Sequence, residues 1–154
     1  MAEFRFLQTG PLSDGELTLL LARTTPRDDA LRHVATYHFD MSIDGRDAGG
    51  IRFRAENDFD VETYAGNIGY NVHPEFRGRR LAERACRLLA PLARAHGFRS
   101  LWITCDPGNI ASRKTCTRLG AELIDIQPHP AGPKCRYRFS LEPANLLQLS
   151  PDKP

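Results

Sequence analysis

Residues 72–82 read V-H-P-E-F-R-G-R-R-L-A, and this stretch decides the fold. An alternating strand breaks at Pro74, and a helix begins about six residues later. The arginine-and-glycine turn between them opens a helix. It therefore offers unpaired backbone N–H donors, the positive end of a helix dipole and mobile cations to one dianion. The partner this predicts is a phosphorylated cofactor.

The flanks extend the pattern in both directions. Upstream, a strand is predicted over residues 66–72, with Ile68, Tyr70 and Val72 on one face and Asn67, Gly69 and Asn71 on the other. Downstream, Leu81, Ala85, Leu88, Leu89 and Leu92 recur at helical spacing from Arg80 to His96. Gly97 supplies a stop, and Pro91 predicts a kink. A short buried strand, L-W-I-T at residues 101–104, leads through D-P-G-N into a second helix over residues 110–119, ended by Gly120.

Further out, residues 16–23 place Leu17, Leu19 and Leu21 on one face and Leu20 on the other, which predicts a largely buried strand. Residues 24–33 read as a loop or one helical turn. Alternation over residues 37–43 and 51–55, joined at Asp44-Gly45, predicts a β-hairpin, and an acidic connection follows at residues 56–62. Residues 121–127 and 135–141 close the pattern as two strands. The last carries Cys135, Tyr137, Phe139 and Leu141 on its inward face, and a loosely ordered tail is expected after Pro143. This order predicts a mixed α/β (α+β) layer structure in one domain over residues 1–154. Strand 66–72 should run parallel to strand 101–104, because a helix joins them.

Composition excludes several function classes. At 154 residues, 41% hydrophobic and 26% charged, the chain fits one globular core. Its 21 basic and 19 acidic residues leave a net charge of only +2, so no global field recommends nucleic acid or a membrane. The N-terminal residues contain no apolar run suited to a signal peptide, and a cytoplasmic location is expected. Cys86, Cys105, Cys116 and Cys135 are dispersed without C-x-x-C spacing, which predicts reduced thiols and no metal site.

The element order, together with N-I-G-Y-N-V-H-P-E-F-R-G-R-R-L-A and D-P-G-N-I-A-S-R-K-T-C-T-R-L-G-A, resembles the GNAT superfamily of acyl-CoA N-acyltransferases over residues 36–141. The resemblance implies that the N–H groups of Gly78, Arg79, Arg80, Leu81 and Ala82 hold the pyrophosphate of acetyl-CoA or coenzyme A. Arg77 and Ala82 match the outer positions of the family's phosphate motif. Arg80 stands where the inner glycine is usual. A helix-start residue at φ near −60° tolerates arginine, so the turn is expected to survive with the Arg80 side chain outward or on a phosphate. A handful of charge-assisted hydrogen bonds, each worth roughly 1.5–3 kcal/mol, can anchor the cofactor without a metal.

In the second motif Asn109, Ser112 and Gly120 match, while Cys116 occupies the usual tyrosine position and Ala121 the usual phenylalanine. Ser112, Thr115, Cys116 and Leu119 share a helical face. If that face borders the cofactor's sulfur, Ser112 or Cys116 can donate a proton to the departing thiolate; otherwise Ser112 caps a local bond and Cys116 packs as a small apolar group. A backbone N–H around Asn71 or Val72 is expected to polarise the thioester.

The resemblance implies acetyl transfer to a primary amine by direct attack in a ternary complex. An alkylammonium of pKa near 10.4 lies ~3.4 units from neutrality at pH 7, roughly 4.6 kcal/mol, whereas an α-amino group asks only about 1 kcal/mol. The family's usual glutamate base is replaced by Asn67. Candidate substitutes are His73 and Asp106, and Asp60 and Glu62 can attract a cationic acceptor. A short segment after the first strand suggests an open cleft for a peptide or small-molecule amine, and a homodimer is one assembly open to the chain. The alternative is a non-catalytic acyl-CoA sensor or an RNA-contacting module. RNA binding is disfavoured because Tyr37, Phe39, Tyr137 and Phe139 read as buried.

Overall fold

The computed structural model of the protein describes residues 3–142, so the tail expected after Pro143 lies outside the described residues. Strands β3 (Thr36–Ile43) and β4 (Arg46–Arg54) join as the predicted hairpin, with β1 (Leu12–Ser13) and β2 (Leu17–Thr25) ahead of them in the chain. Asp44 and Gly45 both take positive φ, 50° and 75°, which matches the twist that a two-residue hairpin turn requires. Period-two alternation sends Tyr37, Phe39, Met41, Ile51 and Phe53 into the core and leaves His38, Asp40, Arg52 and Arg54 on the opposite face.

After β4 come β5 (Ile68–Val72), α1 (Leu81–Ala95), β6 (Ser100–Cys105), α2 (Ile110–Arg118), β7 (Glu122–Gln127) and β8 (Lys134–Ser140). The eight strands form one sheet in the order β1-β2-β3-β4-β5-β6-β8-β7. Every neighbouring pair is antiparallel except β5 and β6, which are parallel as the connecting helix predicts. Helix α1 buries Leu81, Leu89 and Leu92 against the sheet, each worth roughly 1.5–3 kcal/mol. It ends where Gly97, at φ 92°, lets the Phe98 N–H reach back to the Ala93 carbonyl at 3.1 Å. Among the described residues no helix is long and apolar enough to cross a membrane.

Some elements differ from the sequence reading. Only the first half of β2 is buried: Leu17 and Leu19 are enclosed, but Leu21 is exposed beside the irregularity at Ala22. Strand β6 alternates, so Trp102 lies half-exposed beneath the Arg136 guanidinium, 4.5 Å from its ring centre. The short β1, a π-helical turn at Val61–Ala65 and a 3-10 turn at Pro74–Phe76 carry no periodicity long enough to predict them. Helix α1 runs through Pro91, which sits on its exposed face where water can reach the carbonyl that the missing N–H frees.

Candidate active site

The parallel pair opens a fork in the sheet. Strands β5 and β6 pair at Ile68↔Ile103 and then part. Asn67 stitches the closed end and is fully buried. Its amide nitrogen donates to the Arg54 carbonyl at 3.1 Å and to Asn57 Oδ1 at 2.8 Å, while its Oδ1 accepts the Trp102 N–H at 2.8 Å. The Asn67 backbone N–H adds a bond to the Trp102 carbonyl at 2.7 Å. The residue at the family's base position is thus a crosspiece between strands, and its donors and acceptor are occupied within the protein.

Beyond Ile68, among the described residues, no strand pairs with the edge of β5 that faces β6. The His73 N–H donates to the Ala48 carbonyl at 2.9 Å, so alternation turns the Asn71 backbone groups toward β4 as well. Gly49 confirms this direction: at φ 138°, a Cβ there would lie 2.1 Å from the Asn71 carbonyl oxygen, so only glycine allows the approach. The backbone groups of Tyr70 and Val72 then face the fork, and Arg77 Nε donates to the Val72 carbonyl at 3.2 Å. Of the two expected thioester donors, Val72 faces the open edge and Asn71 does not.

The phosphate turn corrects one expectation outright. Arg80 lies at φ 58° and ψ 32°, in the left-handed region, rather than at the φ near −60° of a helix-start residue. It is the residue before the helix, at the N-cap, and the glycine usual at this position has a backbone reason to be there. No side chain caps the helix, and its first backbone bond at this end runs from the Arg84 N–H to the Arg80 carbonyl at 3.0 Å. The N–H groups of Leu81, Ala82 and Glu83 precede that bond and point out of the helix end. Gly78, at φ 84°, completes the bend.

The three arginines of the turn differ in their ties. Arg77 is bonded to Val72, Arg79 pairs with Glu16 at 3.0 Å, and Arg80 is exposed without an ion pair among the described residues. Arg84 is a support that periodicity alone did not single out. It bonds Asp14 at 2.7 and 3.0 Å, Glu16 at 2.9 Å and the Arg79 carbonyl at 3.4 Å, tying the turn to the loop between β1 and β2. This guanidinium holds the Asp14 carboxyl at about 2, below its ordinary 3.8.

Across the fork, Asn109 caps α2 by accepting the Ser112 N–H at 3.1 Å. Ser112 is nearly buried, and its hydroxyl shares a 2.7 Å hydrogen bond with the Tyr70 phenol of β5. Burial pushes Tyr70 above the ordinary phenol value. Tyr70 was legible only as a strand residue sharing a face with Ile68 and Val72; its partner lies 42 residues away. Cys116 shares the helical face of Ser112 as expected, but its side chain is enclosed in the hydrophobic core, where burial pushes its thiol up to about 12.

The other candidates are dispersed. His73 is half-exposed and bonds Asp47 at 3.1 Å. Asp106 pairs with Lys134 at 2.5 Å, while Asp60 and Glu62 are exposed on the connection before β5. All four cysteines are buried free thiols, and among the described residues no group of three or more His, Cys, Asp or Glu side chains is placed to hold a metal. A slot of about 240 Å³ lies within the fork, with Gly69, Tyr70, Cys105, Asn109 and Ser112 on its walls. A second groove of about 350 Å³ crosses the open face of β2 to β5 and shares Arg52, Gly69 and Tyr70 with the slot.

The family model described as Acetyltransferase (GNAT) domain matches residues 2–122. The chain belongs to the GNAT acetyltransferase family. Solved structures share the GNAT fold at low identity. A putative acetyltransferase matches with a TM-score of 0.70 at 15% identity, over 94% of this chain and 94% of its own. RimL, a ribosomal L7/L12 alpha-N-protein acetyltransferase solved with coenzyme A, matches with a TM-score of 0.66 at 14% identity, over 85% of this chain and 98% of its own. The microcin C7 self-immunity acetyltransferase MccE, solved with acetyl-CoA and AMP, matches with a TM-score of 0.56 at 19% identity, over 68% of this chain and 61% of its own. No curated protein sequence matches this chain significantly.

Proposed function

We propose that the protein is an N-acetyltransferase that transfers the acetyl group of acetyl-CoA to a primary amine by direct attack in a ternary complex. One observation carries this reading. The fork between β5 and β6 has an unpaired helix N-terminus at one end and the Tyr70–Ser112 pair across it.

The N–H groups of Gly78, Arg79, Arg80, Leu81 and Ala82 receive the pyrophosphate, and the untethered Arg80 side chain adds a mobile cation. The pantetheine arm lies along the free edge of β5, in the slot that Asn109 and Ser112 help to line. The Val72 N–H polarises the thioester carbonyl and holds the oxyanion formed on attack. When the tetrahedral intermediate collapses, the Tyr70–Ser112 pair donates a hydrogen bond to the leaving thiolate. Its raised value keeps the Tyr70 phenol protonated, so it stabilises charge, while the proton taken up by sulfur originates on the attacking nitrogen.

Cys116 packs as a small apolar group, because an enclosed thiol with its value raised to about 12 is a poor acid. His73 orients Asp47 at the strand end. With Asn67 committed to bridging strands, the acceptor that fits best is an α-amino group, whose neutral form costs about 1 kcal/mol at pH 7. RimL, a ribosomal L7/L12 alpha-N-protein acetyltransferase, acts on a protein α-amine, which supports that choice. Acetyl-CoA as donor and four free thiols suit a reducing, cytoplasmic setting.

Purified protein given acetyl-CoA and a panel of amines should release free thiol, most readily with peptide α-amines. Acetyl-CoA binding without release from any amine would instead indicate a non-catalytic acyl-CoA sensor.

A further inference from the structure

The open face of the sheet carries a row of aligned residues. Arg23 of β2 stands opposite His38 of β3, His38 opposite Arg52 of β4, and Arg52 opposite Gly69 of β5. These four residues line the 350 Å³ groove that joins the fork at Gly69 and Tyr70. Neither Arg23 nor Arg52 makes an ion pair among the described residues, whereas Arg27, Arg79, Arg84, Arg87, Arg136 and Arg138 each meet a carboxylate. Arg54, on the same face, is spent on the Ala65 and Gly66 carbonyls and leaves its charge uncompensated.

The remaining polar groups do not cancel this charge. His38 bonds Thr25 Oγ1 at 2.8 Å, and burial followed by Arg23, Arg52 and Arg54 lowers its basicity, so near neutral pH the positive charge belongs to the guanidinium groups. Among the described residues Asp40 is the one carboxylate lining the groove, and it lies in the next row, opposite Gly50, about 7 Å along the strand. Gly69 keeps the floor low: a Cβ there would come within 3.1 Å of Arg52 Nη2.

We propose that this groove selects acceptors that carry a carboxylate close to the reacting amine, namely peptide N-termini with an acidic side chain among the first residues. The inference rests on the transferase reading of the fork. An amine entering at Gly69 meets Arg52 one strand away and Arg23 three strands away. Three strand spacings of about 4.8 Å span about 14 Å, the length of roughly four extended residues. An acidic residue at the second, third or fourth position therefore reaches the arginine row while the amine stays at the fork.

The test uses full-length protein and three matched pentapeptides with a free N-terminus, whose positions two to four are acidic, neutral or basic, together with O-phosphoethanolamine. At low salt the acidic peptide should exceed the neutral one by about tenfold in kcat/KM, mostly through KM, and added salt should narrow the difference. Arg52→Gln and Arg23→Gln should collapse the acidic-to-neutral ratio, and Arg52→Lys should restore most of it. Equal use of all three peptides, preference for the basic one, preference for O-phosphoethanolamine over every peptide, or an unchanged ratio in Arg52→Gln would overturn the proposal. Binding is measured separately by peptide titration into coenzyme A-loaded protein. If no acceptor is turned over, selective binding of the acidic peptide that Arg52→Gln abolishes would sustain the groove while the transferase reading fails. Equal binding of acidic and neutral peptides would overturn the groove by itself.

Discussion

Replacing Arg80 with glycine tests the phosphate turn at its most strained point. Arg80 holds φ 58° and ψ 32°, which costs an L-residue about 1–2 kcal/mol. Glycine removes that cost but loses roughly 0.5–1 kcal/mol through the greater freedom of the unfolded chain. The net expectation is about 0.5–1 kcal/mol of added stability, a Tm rise of roughly 1–4 °C for a chain of this size. The side chain is exposed, so its contribution to pyrophosphate binding is screened to about 1 kcal/mol or less, and coenzyme A affinity should weaken no more than about fivefold. Arg80→Ala separates the two effects: it keeps the strain and loses the charge. It should lose affinity as the glycine variant does, with stability within about 0.5 kcal/mol of wild type. Thermal unfolding and calorimetric titration of coenzyme A read both quantities. A glycine variant that melts several degrees lower, or that no longer binds coenzyme A, would refute the left-handed cap as the basis of the site.

Tyr70→Phe and Ser112→Ala should each lower kcat by about 10–100-fold with little change in KM for acetyl-CoA, measured by steady-state thiol release. His73→Ala should change kcat by less than about threefold, since its half-exposed imidazole serves Asp47. Asn67→Ala should destabilise the fold by about 2–4 kcal/mol in urea unfolding, because it strips three side-chain hydrogen bonds from a buried position; Asn67→Glu should destabilise as well and gain no activity. The folded value of Asp14, about 2, lies below its unfolded value, so the Arg84 contact stabilises above pH 4 and is lost as pH falls toward 2. Solvent screening reduces that contribution to about 1 kcal/mol, and the stability gap between wild type and Arg84→Ala should shrink over this window in acid urea melts.

The sequence carried the features whose physics is local. Alternation and the Asp44-Gly45 turn placed the β3–β4 hairpin, Asn109 and Gly120 bounded α2, and the helix between β5 and β6 made that pair parallel. The break at Pro74 marked the phosphate turn. Contacts between distant segments were not legible. Tyr70 read as one more strand residue on the face of Ile68 and Val72, and nothing in its neighbours announced Ser112. Asn67 read as a missing base, because its bonds to Arg54, Asn57 and Trp102 exist only once three segments meet. The Arg80 expectation failed for a local reason: the helix starts one residue later than supposed, which moves Arg80 from a right-handed first turn to a left-handed cap. Asp14 and Glu16 were not singled out at all, because their partner Arg84 lies about 70 residues on and meets them only in the fold.

Thiol release from acetyl-CoA on addition of peptide α-amines tests the central claim most directly. Saturating, acceptor-dependent release that Tyr70→Phe slows without altering acetyl-CoA binding is the expected result. Tight acetyl-CoA binding with no release from any amine across neutral, acidic and basic acceptors would contradict the claim that the fork is a catalytic site.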